Sequence, residues 1–554
     1  MVCMDVRDAI RNALSSALGR VGVSLTKEDV PLEHTADFAH GDYATGVALK
    51  YAKGAGMSPR ELAEKVVAGL GAIDGVEKIE VAGAGFINFF LLPQALADSI
   101  ERARADNAEE KWGANKINGG KKIMVEYTDP NPFKEFHIGH LMSNAIGESL
   151  ARLLEFSGTN VLRANYQGDV GLHVAKTIWG KLQKTEASWG EAYVYGSEQY
   201  ESNKEAIGAV NKLVYEKSDE KINTLYKDGR AESLEHFETL YKTLGTKFDH
   251  YFFESETGPL GVTLVRAHPE VFDDSEGATV FRGEKFGLHT RVFITSQGLP
   301  TYEAKDLGLA EAKKEKAPFD TSITVTASEQ NDYFSVVLKA LELVHPEWQG
   351  QFEHVSHGMM RFAEGKMSSR KGNVVTGESL LAELTEVARS RAKESRAEDT
   401  DTLAEQVAVA AVKYQVLKQQ ARKDIIFNRE QALSLEGDSG PYLQYAHARA
   451  CAVVEKAKAE GVEAKVNENA EPQELARLLH RFPEVVERAA RERESRHVTT
   501  YILTLAGAFN RWYANEQIVD GSPEAPHKVA LTDAVRATLK NGLWLLGIPS
   551  PDKM

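Results

Sequence analysis

The chain has 554 residues, 42% hydrophobic and 27% charged, with 66 Lys and Arg against 81 Asp and Glu for a net charge of −15. That length predicts roughly three or four domains, and the composition excludes a largely disordered chain. The acidic total excludes a generic nucleic-acid coater, but leaves room for a nucleic-acid partner met by basic residues grouped on one face. Cys3 and Cys451 are the only cysteines, too few for a disulfide framework or a four-sulfur zinc site. No leader-like apolar segment opens the chain and no run nears the roughly 20 apolar residues of a membrane span, so the expectation is a soluble cytoplasmic protein.

In chain order, residues 5–21 place Val6, Ile10, Leu14, Ala17 and Leu18 on one helical stripe. A second helix is predicted to start at Ser58, with Pro59 in its first position and Glu61 completing a capping box. Residues 77–92 read as two short strands around a glycine turn, which makes 1–110 an α+β domain. The charged stretch 101–120 reads as a linker. A strand over Lys121–Thr128, a Pro-rich loop, a helix opening near Ile138 and a strand over Asn160–Ala164 then form a βαβ unit of a parallel sheet. Between about 183 and 260 the chain is charged and helical, with no strand alternation, as expected of an insertion. Strand patterns at 288–294 and 321–327 predict that the same sheet resumes, giving an α/β Rossmann-type domain over 118–375. From 376 to 554 the pattern is nearly all helical, predicting an all-α bundle with breaks near 436–441 and 467–472. No internal repeat is evident.

Chemistry concentrates in two segments. In Glu126-Tyr-Thr-Asp-Pro-Asn-Pro-Phe-Lys-Glu-Phe-His137-Ile-Gly-His140, a strand ends, prolines hold a loop, and two histidines flank a glycine where a helix begins. Backbone N–H groups and the positive helix end favour phosphate there, and Gly139 admits a nucleotide close to the backbone. In Gly365-Lys366-Met-Ser-Ser-Arg-Lys371-Gly-Asn373, cations and hydroxyls stand beside glycines in a basic, anion-gripping loop. Either segment alone is compatible with an ordinary helix start or a solvated loop.

Together, in this order, they resemble the two signatures of the class I aminoacyl-tRNA synthetases. The details resemble the arginyl-tRNA synthetases, through Glu126–Leu141, Asn165–His173, Ala327–Asp332, Gly365–Asn373 and Asp438–Arg449. The resemblance implies ATP-dependent formation of arginyl-adenylate, then transfer of the arginyl group to the 3′-terminal adenosine of arginine tRNA, leaving AMP and diphosphate. It implies His137, His140, Lys134, Lys366, Ser368 and Arg370 as catalytic residues. For ATP it implies His137, Gly139, His140, His357, Met359, Lys366, Met367 and Ser368. Arginine falls to Glu126, Asn131, His137, Tyr302, Asp306 and Gln330, a set suited to a guanidinium, which needs carboxylate, hydroxyl or carbonyl acceptors. Tyr302 and Asp306, four apart, share one helical face. Magnesium is expected to arrive with ATP as its counterion, with no metal ligand in the chain and no zinc. The helical bundle is expected to read the anticodon through Tyr442, Tyr445, Arg449 and Tyr513, aromatic and arginine platforms for RNA bases. Phe86 and Asn88 are expected to touch the outer corner of the tRNA, and the protein to act as a monomer.

The second signature departs from the usual Lys-Met-Ser-Lys-Ser: Ser369 stands at the second lysine. Lys134 is expected to replace it, with Arg370 or Lys371 the alternative. Competing readings are another His-x-Gly-His ligase or nucleotidyltransferase, which would lack the long helical C-terminal module, and a non-catalytic RNA-binding paralogue. A cysteine specificity would want zinc-binding cysteines that this chain lacks.

Overall fold

The computed structural model describes residues 6–105, 111–363, 375–393 and 397–554. They form two compact units. One comprises the chain up to Gly113 with Arg449–Val485 and Thr504–Asn541, the other Ala114–Ala448 with Val486–Leu503 and Gly542–Met554.

In the first unit, the helix Val6–Arg20 buries Ile10, Leu14, Ala17 and Leu18. The helix Pro59–Gly69 starts as expected, Ser58 accepting the Glu61 N–H, but the capping box stays half-formed. The Glu61 carboxylate turns instead to Lys65 one turn on, at 3.0 Å, a charged donor that outcompetes a backbone N–H. Strands Val76–Ala82 and Phe86–Leu91 pair antiparallel in a four-stranded sheet with Glu33–His34 and Tyr43–Thr45. Helical residues pack on this sheet: Tyr43 shares a hydrogen bond with His480 at 3.1 Å, and Arg477 pairs with Asp42 at 2.5 Å.

The second unit is built on a five-stranded parallel sheet in the order Phe352–His357, Thr321–Ala327, Lys122–Glu126, Asn160–Gln167, His250–Phe253. The chain starts in the middle strand, builds one side to the edge, and returns to build the other. The topological switch point therefore lies between Lys122–Glu126 and Thr321–Ala327, where open α/β sheets bind ligands at the strands' C-terminal ends. The helix Ile138–Phe156 follows the middle strand and is buried on nearly every side.

Two expectations are corrected here. The stretch 183–260 is helical over Trp189–Glu198, Lys204–Glu216 and Glu220–Thr243, but before the helix Glu254–Ala267 it contributes the edge strand His250–Phe253. Four residues without alternation carry too little pattern to read. Residues 288–294 hold the strand Arg291–Ile294, which leaves the parallel sheet and joins Ala278–Phe281 and Asp273–Ser275 in a separate antiparallel one. Its Phe293 and Ile294 are buried with Phe272 and Phe281, so local alternation was satisfied by a different core.

Helices Glu254–Ala267 and Tyr302–Lys316 lie backbone to backbone. A Cβ at Gly261 would overlap the Ala304 carbonyl, and one at Gly308 the Thr257 carbonyl. Beyond residue 376 the described chain is helical, in Gly377–Ala392, Thr400–Leu417, Gly440–Ala459, Glu474–Glu492, Arg496–Asn515 and Ala525–Leu545. The exception is the strand Ile425–Phe427, parallel to Met360–Phe362. Lys413, fully buried, donates to the Leu244 carbonyl at 2.6 Å and the Gly547 carbonyl at 2.9 Å, just past the ends of two helices. No described helix is long and apolar enough to cross a membrane.

Candidate active site

The loop after the middle strand is under backbone strain. Thr128, Asp129 and Phe133 all have positive φ, at 79°, 47° and 69°, conformations that non-glycine residues hold only when their surroundings enforce them. The enforcement is visible: Asp129 accepts the Tyr166 N–H at 2.8 Å, Ser143 Oγ accepts the Thr128 N–H at 3.0 Å, and Ser233 Oγ accepts the Phe133 N–H at 3.0 Å.

His137 caps the helix that follows. Its Nδ1 accepts the Gly139 N–H at 3.1 Å, while Nδ1 of His140 accepts the His137 N–H at 3.2 Å, and the rings stack at 3.5 Å. Both acceptor bonds fix the ring proton on Nε2. Burial holds His140 well below the usual histidine range, helped by His137 and Lys134. Partial burial and Lys134 lower His137 as well. The pair is therefore neutral at physiological pH and presents N–H donors beside the helix N-terminus. Lys134 is half-buried with its ammonium 5.7 Å from the Tyr193 ring centre, and burial lowers its pKa too.

Across the switch point an acidic pocket forms. Glu126, at the end of the middle strand, is 3% exposed and pairs with Lys313 at 2.6 Å. Asp306, on the helix Tyr302–Lys316, accepts from the Tyr333 hydroxyl at 2.7 Å; burial and then Glu126 push its carboxyl up to about 7 against that bond. Asp129 is raised too, by burial and by Glu126. Tyr302 stands 62% exposed at the start of the same helix. Asn131 reaches Gly168, at the turn after the strand Asn160–Gln167. A Cβ on Gly168 would overlap Asn131 Oδ1 and come within 3.0 Å of Glu254 Oε1. Gln330 is exposed in the turn Ser328–Gln330, directly after the strand Thr321–Ala327.

The structure thus gathers Glu126, Asn131, Lys134, His137, Gly139, His140, Tyr302, Asp306 and Gln330 at one end of the parallel sheet. His357 closes the outer strand beside Ala327, fully buried, its Nδ1–H donating to the Gly358 carbonyl at 2.7 Å. Met359 is 38% exposed, its N–H held by Asp424 at 3.0 Å. Lys366, Met367, Ser368 and Arg370 lie outside the described residues, as do Ser369 and Lys371.

Elsewhere, Phe86 is 45% exposed while Asn88, on the same strand, is 5% exposed and offers little to a partner. Tyr442, Tyr445 and Arg449 are half-buried on the helix Gly440–Ala459. The Arg449 guanidinium lies 4.8 Å from the ring centre of Tyr513, which is 41% exposed.

Sequence reasoning missed three groups. Glu254 is 5% exposed and its Oε2 pairs with Lys305 at 2.5 Å; Lys305 also faces the Tyr302 ring at 5.0 Å. Burial raises the Glu254 carboxyl and Lys305 opposes that rise. Asp169, fully buried, is the third. Spacing gave one usable signal, Lys305 lying between Tyr302 and Asp306; Glu254 sits in a charged stretch with no pattern to mark it.

Residues 105–429 match the family described as "tRNA synthetases class I (R), catalytic domain". Residues 443–554 match "DALR anticodon binding domain", and 4–91 match "Arginyl tRNA synthetase N terminal domain". The arginine–tRNA ligase of Clostridioides difficile is 32% identical over 99% of this chain and 100% of its own. That of Limosilactobacillus reuteri is 32% identical over 100% of both. The arginyl-tRNA synthetase structure of Thermus thermophilus superposes with a TM-score of 0.83 at 26% identity, covering 100% of each chain. That of Plasmodium falciparum gives 0.80 at 21% identity over 99% of each, a likeness of fold.

Proposed function

Because this chain belongs to the arginyl-tRNA synthetases, class I ligases, we propose that the strand-end pocket is where it activates L-arginine with ATP and charges arginine tRNA. The arginine carboxylate attacks the α-phosphate of ATP, diphosphate leaves, and arginyl-adenylate forms. A ribose hydroxyl of the tRNA's terminal adenosine then takes the arginyl group and AMP departs. No protein nucleophile takes part, so catalysis is alignment and charge neutralisation.

The observation that carries this reading is the pairing, at one switch point, of an acidic pocket with a neutral histidine pair on a helix N-terminus. A guanidinium satisfies carboxylates that burial has raised; phosphoryl oxygens accept from histidine Nε2–H and backbone N–H groups. In this assignment Asp306 and Tyr302 meet the guanidinium, with Glu254 beside them and Glu126 supplying charge at the floor. Asn131 and Gln330 take the amino and carboxylate groups, and His137 stands where the carboxylate meets phosphate. His140, Gly139, His357 and Met359 border the nucleotide. Lys134, with Lys366, Met367, Ser368 and Arg370, supplies the remaining contacts to the phosphates. Magnesium enters with ATP as phosphate counterion, with no side chain assigned to hold it.

We assign tRNA contacts to Tyr442, Tyr445, Arg449 and Tyr513, and to Phe86 with Asn88 behind it. The functional division follows 1–110 for tRNA contact, 118–375 for chemistry and 376–554 for the anticodon, in a monomeric cytoplasmic enzyme. Charging of total tRNA with each amino acid in turn tests the reading: arginine alone should be esterified, and only with ATP. Charging of another amino acid at a comparable rate would overturn it.

A further inference from the structure

One buried carboxylate ties the helical insertion to the strand-end turn beside the pocket. Asp169 follows Gly168 at the turn after the strand Asn160–Gln167 and is fully buried. Its Oδ1 accepts the Ser255 N–H at 2.8 Å. Its Oδ2 accepts from Ser255 Oγ at 2.8 Å, from the Tyr226 hydroxyl at 2.9 Å and from Arg230 Nε at 2.9 Å. Four donors fill a carboxylate's capacity, and the Ser255 N–H lies in a helix's first turn, where negative charge is favoured.

These donors come from two places that matter to the amino-acid pocket. Ser255 is covalently next to Glu254, whose Oε1 flanks Gly168 together with Asn131. Tyr226 and Arg230 stand on the insertion helix Glu220–Thr243, which also grips the strained signature loop. The Tyr226 ring stacks on Phe133 at 6.0 Å, Gly229 leaves room for the Phe133 ring, and Ser233 holds the Phe133 N–H. Residues 226, 229, 230 and 233 form one helical face. A single ion therefore joins the strand-end turn, the helix bearing Glu254 and the insertion that clamps the loop of Asn131 and Lys134.

We propose that Asp169 is a positioning residue for the amino-acid subsite, and that through it the helical insertion governs arginine binding rather than nucleotide binding. The proposal rests on the arginine-ligase reading of the pocket. Asp169→Asn keeps the shape but turns an N–H₂ group toward donors and removes the charge facing Arg230. Relaxation of this junction moves Glu254 and Asn131, whereas the histidines are held by their own helix cap.

Steady-state charging of arginine tRNA tests it. Asp169→Asn should raise the arginine KM by about tenfold or more while the ATP KM stays within about threefold. Arg230→Gln should shift the same constant less, and the double variant should match Asp169→Asn alone, as expected of groups acting as one unit. Equal rises in both KM values, or an unchanged arginine KM in folded Asp169→Asn, would overturn the proposal. If Asp169→Asn fails to fold, Arg230→Gln carries the same test: a selective rise in the arginine KM supports it, and none refutes it. Failure of the wild-type enzyme to charge arginine would instead defeat the underlying reading.

Discussion

Gly168→Ala isolates the placement of one side chain. The added Cβ would overlap Asn131 Oδ1 and sit 3.0 Å from Glu254 Oε1. Gly168 is not among the residues of positive φ, so alanine meets no backbone penalty there. What yields is the end of the Asn131 side chain, which must retreat from 2.1 Å by roughly 1.3 Å to restore ordinary contact; the fold itself is spared. A displacement of that size at a substrate-positioning group is worth about a hundredfold, or about 2.7 kcal/mol at the transition state. The expected outcome in aminoacylation assays is a fall of about that size in kcat/KM for arginine, with the ATP KM nearly unchanged and thermal unfolding within a few degrees of wild type. An unaltered arginine kcat/KM in well-folded enzyme would refute the placement of Asn131 in the amino-acid pocket. A collapsed melting temperature would refute the claim that the clash is absorbed by a side chain.

Other outcomes follow from the same geometry. The Asp306 carboxyl, raised to about 7, is mostly protonated below that pH and mostly ionised above it. Binding a guanidinium favours the ionised form, so the arginine KM should fall as pH rises from 6 to 8; initial rates across that range check this, and a flat profile contradicts it. Lys134→Ala should slow adenylate formation on the order of a hundredfold, read by single-turnover production of adenylate; a wild-type rate would pass the role to Arg370 or Lys371. Lys413 is held down to about 7 by burial, so between pH 7 and its ordinary value the unfolded chain binds the extra proton. Stability should then climb with pH by up to roughly 1.4 kcal/mol per unit, and denaturant titrations of Lys413→Met should lose that slope.

Much of this molecule was legible from residue order, and the reasons differ by element. The βαβ start was readable because Ile123, Met124 and Val125 form a buried run, and His137 with its glycine marks a helix opening by local chemistry alone. The strand His250–Phe253 was not, because an edge strand of four residues has no period to detect. Arg291–Ile294 was read as a strand but not assigned to its sheet, since strand choice is decided by which core receives Phe293. In the pocket, Tyr302 and Asp306 were found through the family resemblance, their helical spacing only agreeing with it. Glu254 and Asp169 acquire meaning only when distant segments meet: Glu254 through Lys305, 51 positions away, and Asp169 through Tyr226, 57 away. Half of the Ser58 cap failed for a local reason instead, a lysine one turn on being the better partner.

The glycine-to-carbonyl contacts between Glu254–Ala267 and Tyr302–Lys316 turn those two helices into a single plate. Glu254 stands on one half; Tyr302, Lys305 and Asp306 stand on the other. Sliding or tilting one helix alone would drive a carbonyl into its neighbour's backbone. An engineer wishing to admit a longer, shorter or uncharged amino acid therefore gains nothing from loosening this wall, and should vary those four side chains on an unaltered frame with Gly261 and Gly308 left as they are.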